Sequence, residues 1–152
     1  MTVRGENLIG AQAQRGTQAA FRAVEAATGQ VREPEFPGAS HQDLDRTCVL
    51  AEAAFDTYRE TDPGARAAFL EAIAANILDI GDDLVTRCMQ ETGLPRPRIE
   101  GERARTVGQL RLFAGVLREG SAFRIRIDPA LPDRKPLSRP DLRLRNVALG
   151  PV

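Results

Sequence analysis

Apolar residues recur at helical spacing between residues 40 and 120, and this periodicity restricts the possible folds more than any other feature of the sequence. The first apolar face has intervals of four, three, four and three residues: Leu44, Cys48, Ala51, Phe55 and Tyr58. Such spacing predicts a helix of roughly five turns with one buried face. Ser40 and Asp43 resemble a capping box at its beginning.

Two further helices are predicted by the same periodicity. Asp62 can cap the second helix, Pro63 suits its first turn and Gly81 ends it. Its buried stripe is predicted to consist of four residues: Phe69, Ile73, Ile77 and Ile80. A third, shorter helix is predicted from about Asp83 to Thr92, and Gly93 stops it.

A fourth helix is predicted from about Arg98 to Arg118, after the stiff two-proline link of residues 94–97. Gly101, Gly108 and Gly115 recur along one stripe of this helix. Each glycine costs about 1 kcal/mol relative to alanine in a helix interior. We therefore expect a neighbouring backbone or a ligand to pack closely against the stripe, with backbone packing favoured.

The amino-terminal residues favour extended structure. Short β-like patches occur at Leu8–Ile9 and Phe21–Val24, and a turn is predicted at Ala27–Gln30, where Gly29 can adopt a positive φ. Residues 33–38 are interpreted as an extended connector. This stretch makes a poor core on its own.

The pattern changes from helix to strand after Gly120. Apolar residues alternate with charged ones and predict a strand with one buried face: Phe123, Ile125 and Ile127. A second strand candidate contains Leu142 and Leu144, beyond a proline-rich connection. Residues 147–152 form an apolar run without a partner strand in view, so we interpret the end of the chain as a truncation.

Composition argues against several kinds of partner. Lys plus Arg and Asp plus Glu number 21 each, which gives no reason to expect nucleic acid or an anionic membrane. The sequence shows neither the apolar stretch of a signal peptide nor the roughly 20 apolar residues that span a bilayer. Two cysteines without a CxxC pair favour a reduced, cytoplasmic protein.

Few residues suggest a catalytic or metal-binding role. Cys48 and Cys88 fall on apolar helix faces without a histidine or a cation beside them, so we expect both to be inert core residues. His41 is expected to face solvent in the first turn of its helix. No residues have metal-ligand spacing. We therefore predict no catalytic or metal-binding residue within this chain.

Three groups of residues, taken in order, resemble a known family. They are Glu91–Pro95 with Arg98–Arg103; Arg105-Thr106 with Gln109–Arg111 and Phe113-Ala114; and Pro132–Arg134 with Pro140–Arg143 and Leu149–Val152. The set resembles the amino-terminal region of NADP-preferring aldehyde dehydrogenases that act on 2-oxoglutarate semialdehyde (2,5-dioxovalerate). The chain departs from the family at Glu25-Ala26, where Asn-Pro is common.

The resemblance implies an α/β fold, of which this chain supplies the mostly helical amino-terminal part with flanking strands. Residues 1–39 would be an amino-terminal extended segment and residues 40–120 a four-helix segment of the nucleotide-binding domain. Residues 121–146 would form an oligomerisation flap, and residues 147–152 the truncated start of the nucleotide-binding core. The resemblance also implies a homo-oligomer that oxidises a small aldehyde with NADP or NAD. The family's cysteine nucleophile and glutamate base would lie downstream. The strand–turn–helix that holds the cofactor would begin just after Val152, so the resemblance implies no cofactor-binding residue within this chain.

The family's counterpart of the fourth helix borders the substrate entrance tunnel. Gly101, Arg105 and Gln109 share one side of this helix, four residues apart. A guanidinium binds a carboxylate through two parallel hydrogen bonds, and glutamine can add another. We therefore expect these residues to contact the substrate, with Arg105 and Gln109 recognising its distal acid.

Two alternatives stand beside this interpretation. The first is that the arginines of the fourth helix form a solvated face: Arg103, Arg105 and Arg111 paired with Glu100 and Glu102. The second concerns the whole chain, which could be a stand-alone helical interaction module without catalytic activity.

Overall fold

The computed structural model describes residues 3–151. Met1 and Thr2, in the predicted segment 1–39, and Val152, in the predicted segment 147–152, lie outside the described residues. Within residues 3–151, no helix is both long and apolar enough to cross a membrane.

Three antiparallel hairpins flank four helices in the described part of the chain. Two hairpins come first: β1 (Asn7–Ile9) with β2 (Gln12–Gln14), and β3 (Ala20–Val24) with β4 (Val31–Pro37). The helices are α1 (His41–Arg59), α2 (Pro63–Asp79), α3 (Asp82–Thr92) and α4 (Arg96–Glu119). A short 3-10 turn, Ser121–Phe123, leads to β5 (Arg126–Asp128), which pairs with β6 (Leu142–Leu144).

The helix beginnings confirm the predicted caps. Ser40 accepts a hydrogen bond from the Asp43 backbone N–H at 3.1 Å, and the Asp43 carboxylate accepts one from the Ser40 N–H at 2.9 Å. Asp62 caps α2 by accepting from two backbone N–H groups, those of Gly64 and Ala65. Each carboxylate satisfies amides that an α-helix leaves without partners in its first turn.

The helix ends confirm most of the predicted stops. Gly93 and Gly120 follow α3 and α4 in the left-handed conformation, with φ of 71° and 77°, where a side chain would be strained. The predicted link before α4 is shorter than expected. Because the helix begins at Arg96, Pro97 lies in its first turn, where a missing N–H costs nothing.

The part of the core between α2 and α4 consists mainly of small residues, and the other buried apolar residues of the described chain are Ile9, Val85 and Ile99. Ala67 and Ala74 of α2 are fully buried, as is Ala114 of α4, and Val107 is nearly so. Small side chains allow two helix axes to approach closely. The predicted stripe of α2 is therefore partly wrong: Ile73, Ile77 and Ile80 are only half-buried, and Phe69 is 55% exposed.

The second hairpin lies against α3. Arg87 donates to the Glu33 carbonyl at 2.7 Å, and the Ala26 N–H donates to the Gln90 carbonyl at 2.9 Å. The predicted connector at residues 33–38 is wrong for most of its length, since β4 continues through Pro37. A shift of register between Arg22 and Ala23 accommodates the irregular strand.

The predicted apolar face of α1 is present, but it is not buried. No residue of α1 is buried, and Leu44 and Tyr58 are 57% and 50% exposed. Among residues 3–151 the helix lies mainly against the first hairpin, and a hydrogen bond of 2.7 Å joins the Gln14 amide of β2 to the Asp43 carboxylate. The expected burial is wrong because no other element of the described chain covers this face.

The last hairpin is also more exposed than predicted. Ile125 is 69% and Ile127 56% exposed, so the expected buried face of this strand is wrong. Phe123 lies in the 3-10 turn and not in the strand. The second predicted strand, containing Leu142 and Leu144, is confirmed as β6.

Candidate functional site

The outer face of α4 carries the predicted substrate-contacting residues. Gly101, Arg105 and Gln109 are all exposed, while Val107 and Ala114 on the opposite side pack toward α2. Packing on one side of the helix thus leaves the predicted stripe accessible on the other. The structure brings the three residues to one surface, as their spacing of four predicts.

Two bidentate ion pairs fix α4 to its neighbours. Arg118 donates to both carboxylate oxygens of Glu71 in α2 at 2.6 and 2.7 Å, and Arg96 donates to both oxygens of Asp82 in α3 at 2.7 and 3.1 Å. Hydrogen bonds from these arginines lower the pKa of Glu71 and of Asp82, with the positive charges reinforcing the effect. Neither pair follows from helical spacing, because the partners are 47 and 14 residues apart in the chain.

Arg105 is held by Glu102 on one side only. Its Nε donates to Glu102 Oε2 at 3.0 Å, and its side chain is 69% exposed. Arg98 binds the other oxygen of Glu102 at 2.7 Å. The hydrogen bond from Arg105, followed by the charges of Arg98 and Arg105, lowers the pKa of Glu102. Within residues 3–151 the two terminal amino groups of Arg105 make no recorded hydrogen bond, so they can bind a second carboxylate.

The solvated-face alternative is only partly realised. Arg105 does pair with Glu102, but Arg103 donates to the Gly81 carbonyl at 3.1 Å, and Glu100 pairs with Arg96 at 3.2 Å. Gln109 makes no recorded side-chain hydrogen bond within the described residues. The arrangement is therefore an exposed cation with a neighbouring amide, and each retains hydrogen-bonding capacity toward a ligand.

The glycine stripe of α4 does not pack against any atom of residues 3–151. A Cβ built at Gly101, Gly108 or Gly115 would meet nothing within 4 Å. The prediction of close packing is thus wrong for the described chain. Next to Arg105 and Gln109, the absence of side chains leaves open space along the helix.

The cysteines and the histidine do not form a nucleophilic pair. Cys48 is exposed, so the expectation that it fills the core is wrong, and Cys88 is half-buried. His41 is exposed in the first turn of α1, as predicted. It precedes Cys48 by seven residues, which corresponds to about 10 Å along the helix axis. A thiol and an imidazole at that separation cannot exchange a proton directly.

A cavity of about 350 Å³ lies at the junction of α1 and α2 and was not predicted from the sequence. Arg66 and Arg145, which line it, are far apart in the chain. The only local indication of this cavity in the sequence is Arg66, a cation in the first turns of α2 that has no acidic residue four positions later in the chain.

Comparisons with known proteins identify similar chains. The Aldehyde dehydrogenase family model matches residues 13–138. Alpha-ketoglutaric semialdehyde dehydrogenase 2 of Azospirillum brasilense is 52% identical over 153 aligned positions, covering 100% of this chain and 29% of that protein. Alpha-ketoglutaric semialdehyde dehydrogenase of Acinetobacter baylyi is 40% identical, covering 97% of this chain and 28% of that protein. This chain spans less than a third of the length of these relatives.

A solved structure shows the same fold. An NAD-dependent benzaldehyde dehydrogenase from Corynebacterium glutamicum superimposes with a TM-score of 0.75 at 20% sequence identity. The match covers 88% of this chain and 28% of that one.

Proposed function

We propose that this chain, which belongs to the aldehyde dehydrogenase family, supplies the amino-terminal part of an enzyme that oxidises 2-oxoglutarate semialdehyde, or a similar aldehyde, to the acid. The observation that carries the proposal is the 52% identity, across the whole chain, with a relative named for this substrate. Since the chain spans 29% of that relative, the activity of the whole enzyme is part of the proposal.

The chemistry would reside in residues outside this chain. Oxidation through a thioester needs a thiolate near an oxyanion hole and a base that activates water. Cys48 is exposed and Cys88 half-buried, each within a helix, and we assign neither of them this role. NAD or NADP would accept the hydride, but the described strands form only antiparallel hairpins. The strand–turn–helix unit that binds a dinucleotide phosphate is therefore not among residues 3–151.

The part played by this chain would be substrate recognition through the outer face of α4. Arg105 has two terminal amino groups without recorded partners, and the product and substrate of the proposed reaction both carry a distal carboxylate. Gln109 lies one turn further along and can donate a third hydrogen bond. Gly101, one turn earlier, leaves room for the ligand to approach the helix.

A substitution in the full-length enzyme tests this recognition. Arg105→Ala should raise KM for the acidic aldehyde about 10-fold, the lower end expected for a charged hydrogen bond at an exposed site. KM for a neutral aldehyde of similar length should not change, because that substrate has no carboxylate to bind.

Arg98→Ala is the matched control. It removes the other cationic partner of Glu102, about 10 Å from Arg105 along the same helix. A rise in KM that is equal for both aldehydes, or equal in the two variants, would show that Arg105 does not read the carboxylate.

We also propose NADP as the preferred cofactor, a cytoplasmic location and a homo-oligomer joined through residues 121–146. The hairpin β5–β6 supports the last point, since Ile127, Leu142 and Leu144 are exposed and its strand edges are unpaired. Initial rates with NAD and with NADP, and sedimentation of the full-length enzyme, test the cofactor and the assembly separately.

A stand-alone interaction module is the second candidate, favoured by the exposed apolar face of α1. Sequencing the source gene beyond codon 152 separates the two. An open frame that encodes a cysteine nucleophile and a glutamate base, and whose product reduces NAD or NADP with the aldehyde, supports the enzyme. A stop codon followed by a stably folded product supports the module.

A further inference from the structure

A cavity of about 350 Å³ lies between the end of α1, the beginning of α2 and residues 145–148. Three guanidinium groups line it: Arg59, Arg66 and Arg145. No residue of α4 lines this cavity, so it is separate from the surface proposed to recognise the aldehyde.

Two of the cavity's charged residues are acidic, and each has a partner other than Arg66 and Arg145. The Asp62 carboxylate accepts hydrogen bonds from the first N–H groups of α2, at 2.8 and 3.2 Å. Glu60 lies 3.7 Å from Arg59, which also pairs with Asp56 at 3.0 Å and lies over the ring of Phe55. Arg59 therefore has partners of its own, and within residues 3–151 neither acid forms an ion pair with Arg66 or Arg145.

Arg66 and Arg145 are the two arginines of this cavity that have no ion pair within the described residues. Within residues 3–151, neither guanidinium has a recorded ion pair or hydrogen bond. The Nε of Arg66 is buried and unpartnered. A buried donor without an acceptor costs about 1–3 kcal/mol, and more when the group is charged. A chain with a formal net charge of zero thus concentrates two unpaired cations at one concave site.

We propose that this cavity binds an anionic group, a phosphate or a carboxylate, between Arg66 and Arg145. Guanidinium groups present parallel N–H donors that match the oxygens of both anions. The cavity is large enough for a small anion. The anion comes either from solution or from an acidic side chain outside this chain.

Titration of the 152-residue chain with inorganic phosphate tests the proposal. At constant ionic strength maintained with chloride, phosphate should raise the thermal midpoint with a saturable dependence, as a ligand of the folded state does. Arg145→Gln should weaken this response at least 10-fold. Arg145 is exposed, so the substitution leaves the core intact and remains informative even if Arg66→Gln fails to fold.

Arg4→Gln is the charge-matched control, since Arg4 is exposed and does not line the cavity. It should leave the phosphate response unchanged. No saturable response beyond that of chloride, or an equal loss in the control, would overturn the proposal.

The same titration on the full-length enzyme distinguishes the two sources of the anion. A response in both proteins identifies an anion from solution. A response in the 152-residue chain alone identifies an acidic side chain of the enzyme that already occupies the cavity. Because the first titration needs only this chain, its result does not depend on the proposed enzymatic activity.

Discussion

Replacing Gly108 by alanine should stabilise the isolated chain. Gly108 lies in the middle of α4, is exposed, and would meet no atom within 4 Å of an added Cβ. Glycine in a helix interior is about 0.8–1.0 kcal/mol less favourable than alanine. We therefore expect a gain of about 1 kcal/mol, which in a chain of this size raises the thermal midpoint by about 2–4 °C.

The other glycines provide matched comparisons. Gly101 and Gly115 are helical and equally open, so alanine at either should give a similar gain. The three sites are separated by about 10 Å along the helix, and their effects should add to roughly 3 kcal/mol. Gly120→Ala should act in the opposite direction and destabilise by about 1–2 kcal/mol, because φ at Gly120 is +77°.

Urea unfolding followed by far-ultraviolet circular dichroism measures these changes. A loss of stability in Gly108→Ala would refute the reasoning, since it would mean that an atom of this chain packs against the stripe. The triple variant in the full-length enzyme adds information: destabilisation there, with stabilisation of the isolated chain, would locate the close neighbour outside residues 1–152.

Three further predictions concern stability. Ser40→Ala should cost about 1 kcal/mol through loss of the capping box, as thermal unfolding would show. Ala74→Leu should destabilise by about 1–3 kcal/mol in urea, whereas Ala75→Leu, at an exposed position, should change stability little. Stability should fall below about pH 5, because folding lowers the pKa of Glu71 and of Asp82: the contribution present above their unfolded values is lost as these groups protonate. In Glu71→Gln and Asp82→Asn, the free energy of unfolding should differ less between pH 7 and pH 3 than it does in the unmodified chain.

The sequence was sufficient to locate the helices but not to determine which faces are buried. Caps and stops are local signals, and Ser40, Asp62 and Gly93 act at their predicted positions. Periodicity shows only that a face is apolar. The partner of the face containing Leu44 and Tyr58 is not among the described residues, so its burial could not follow from spacing.

The sequence predicts which residues share the outer surface of α4, but it does not predict which ion pairs those residues form. Spacing alone placed Gly101, Arg105 and Gln109 on one surface of α4. The pairing of Glu102 with two arginines, three and four residues away, is a choice among several possible helical pairs. Spacing does not decide which pair forms, because exposed pairs differ by only a few tenths of a kcal/mol.

The contacts that hold α4 in place are relevant to the proposed role of Arg105. α4 packs on α2 through buried small residues and is joined to α2 and α3 by bidentate ion pairs at its two ends. α1, by comparison, has no buried residue. A functional side chain is positioned more accurately on a helix held at several points than on a loop or a loosely packed helix. Of the four helices, α4 is therefore the best suited to present a guanidinium to a substrate. The exposed face of α1 is better suited to being covered, because burial of each large apolar side chain there would contribute about 1.5–3 kcal/mol.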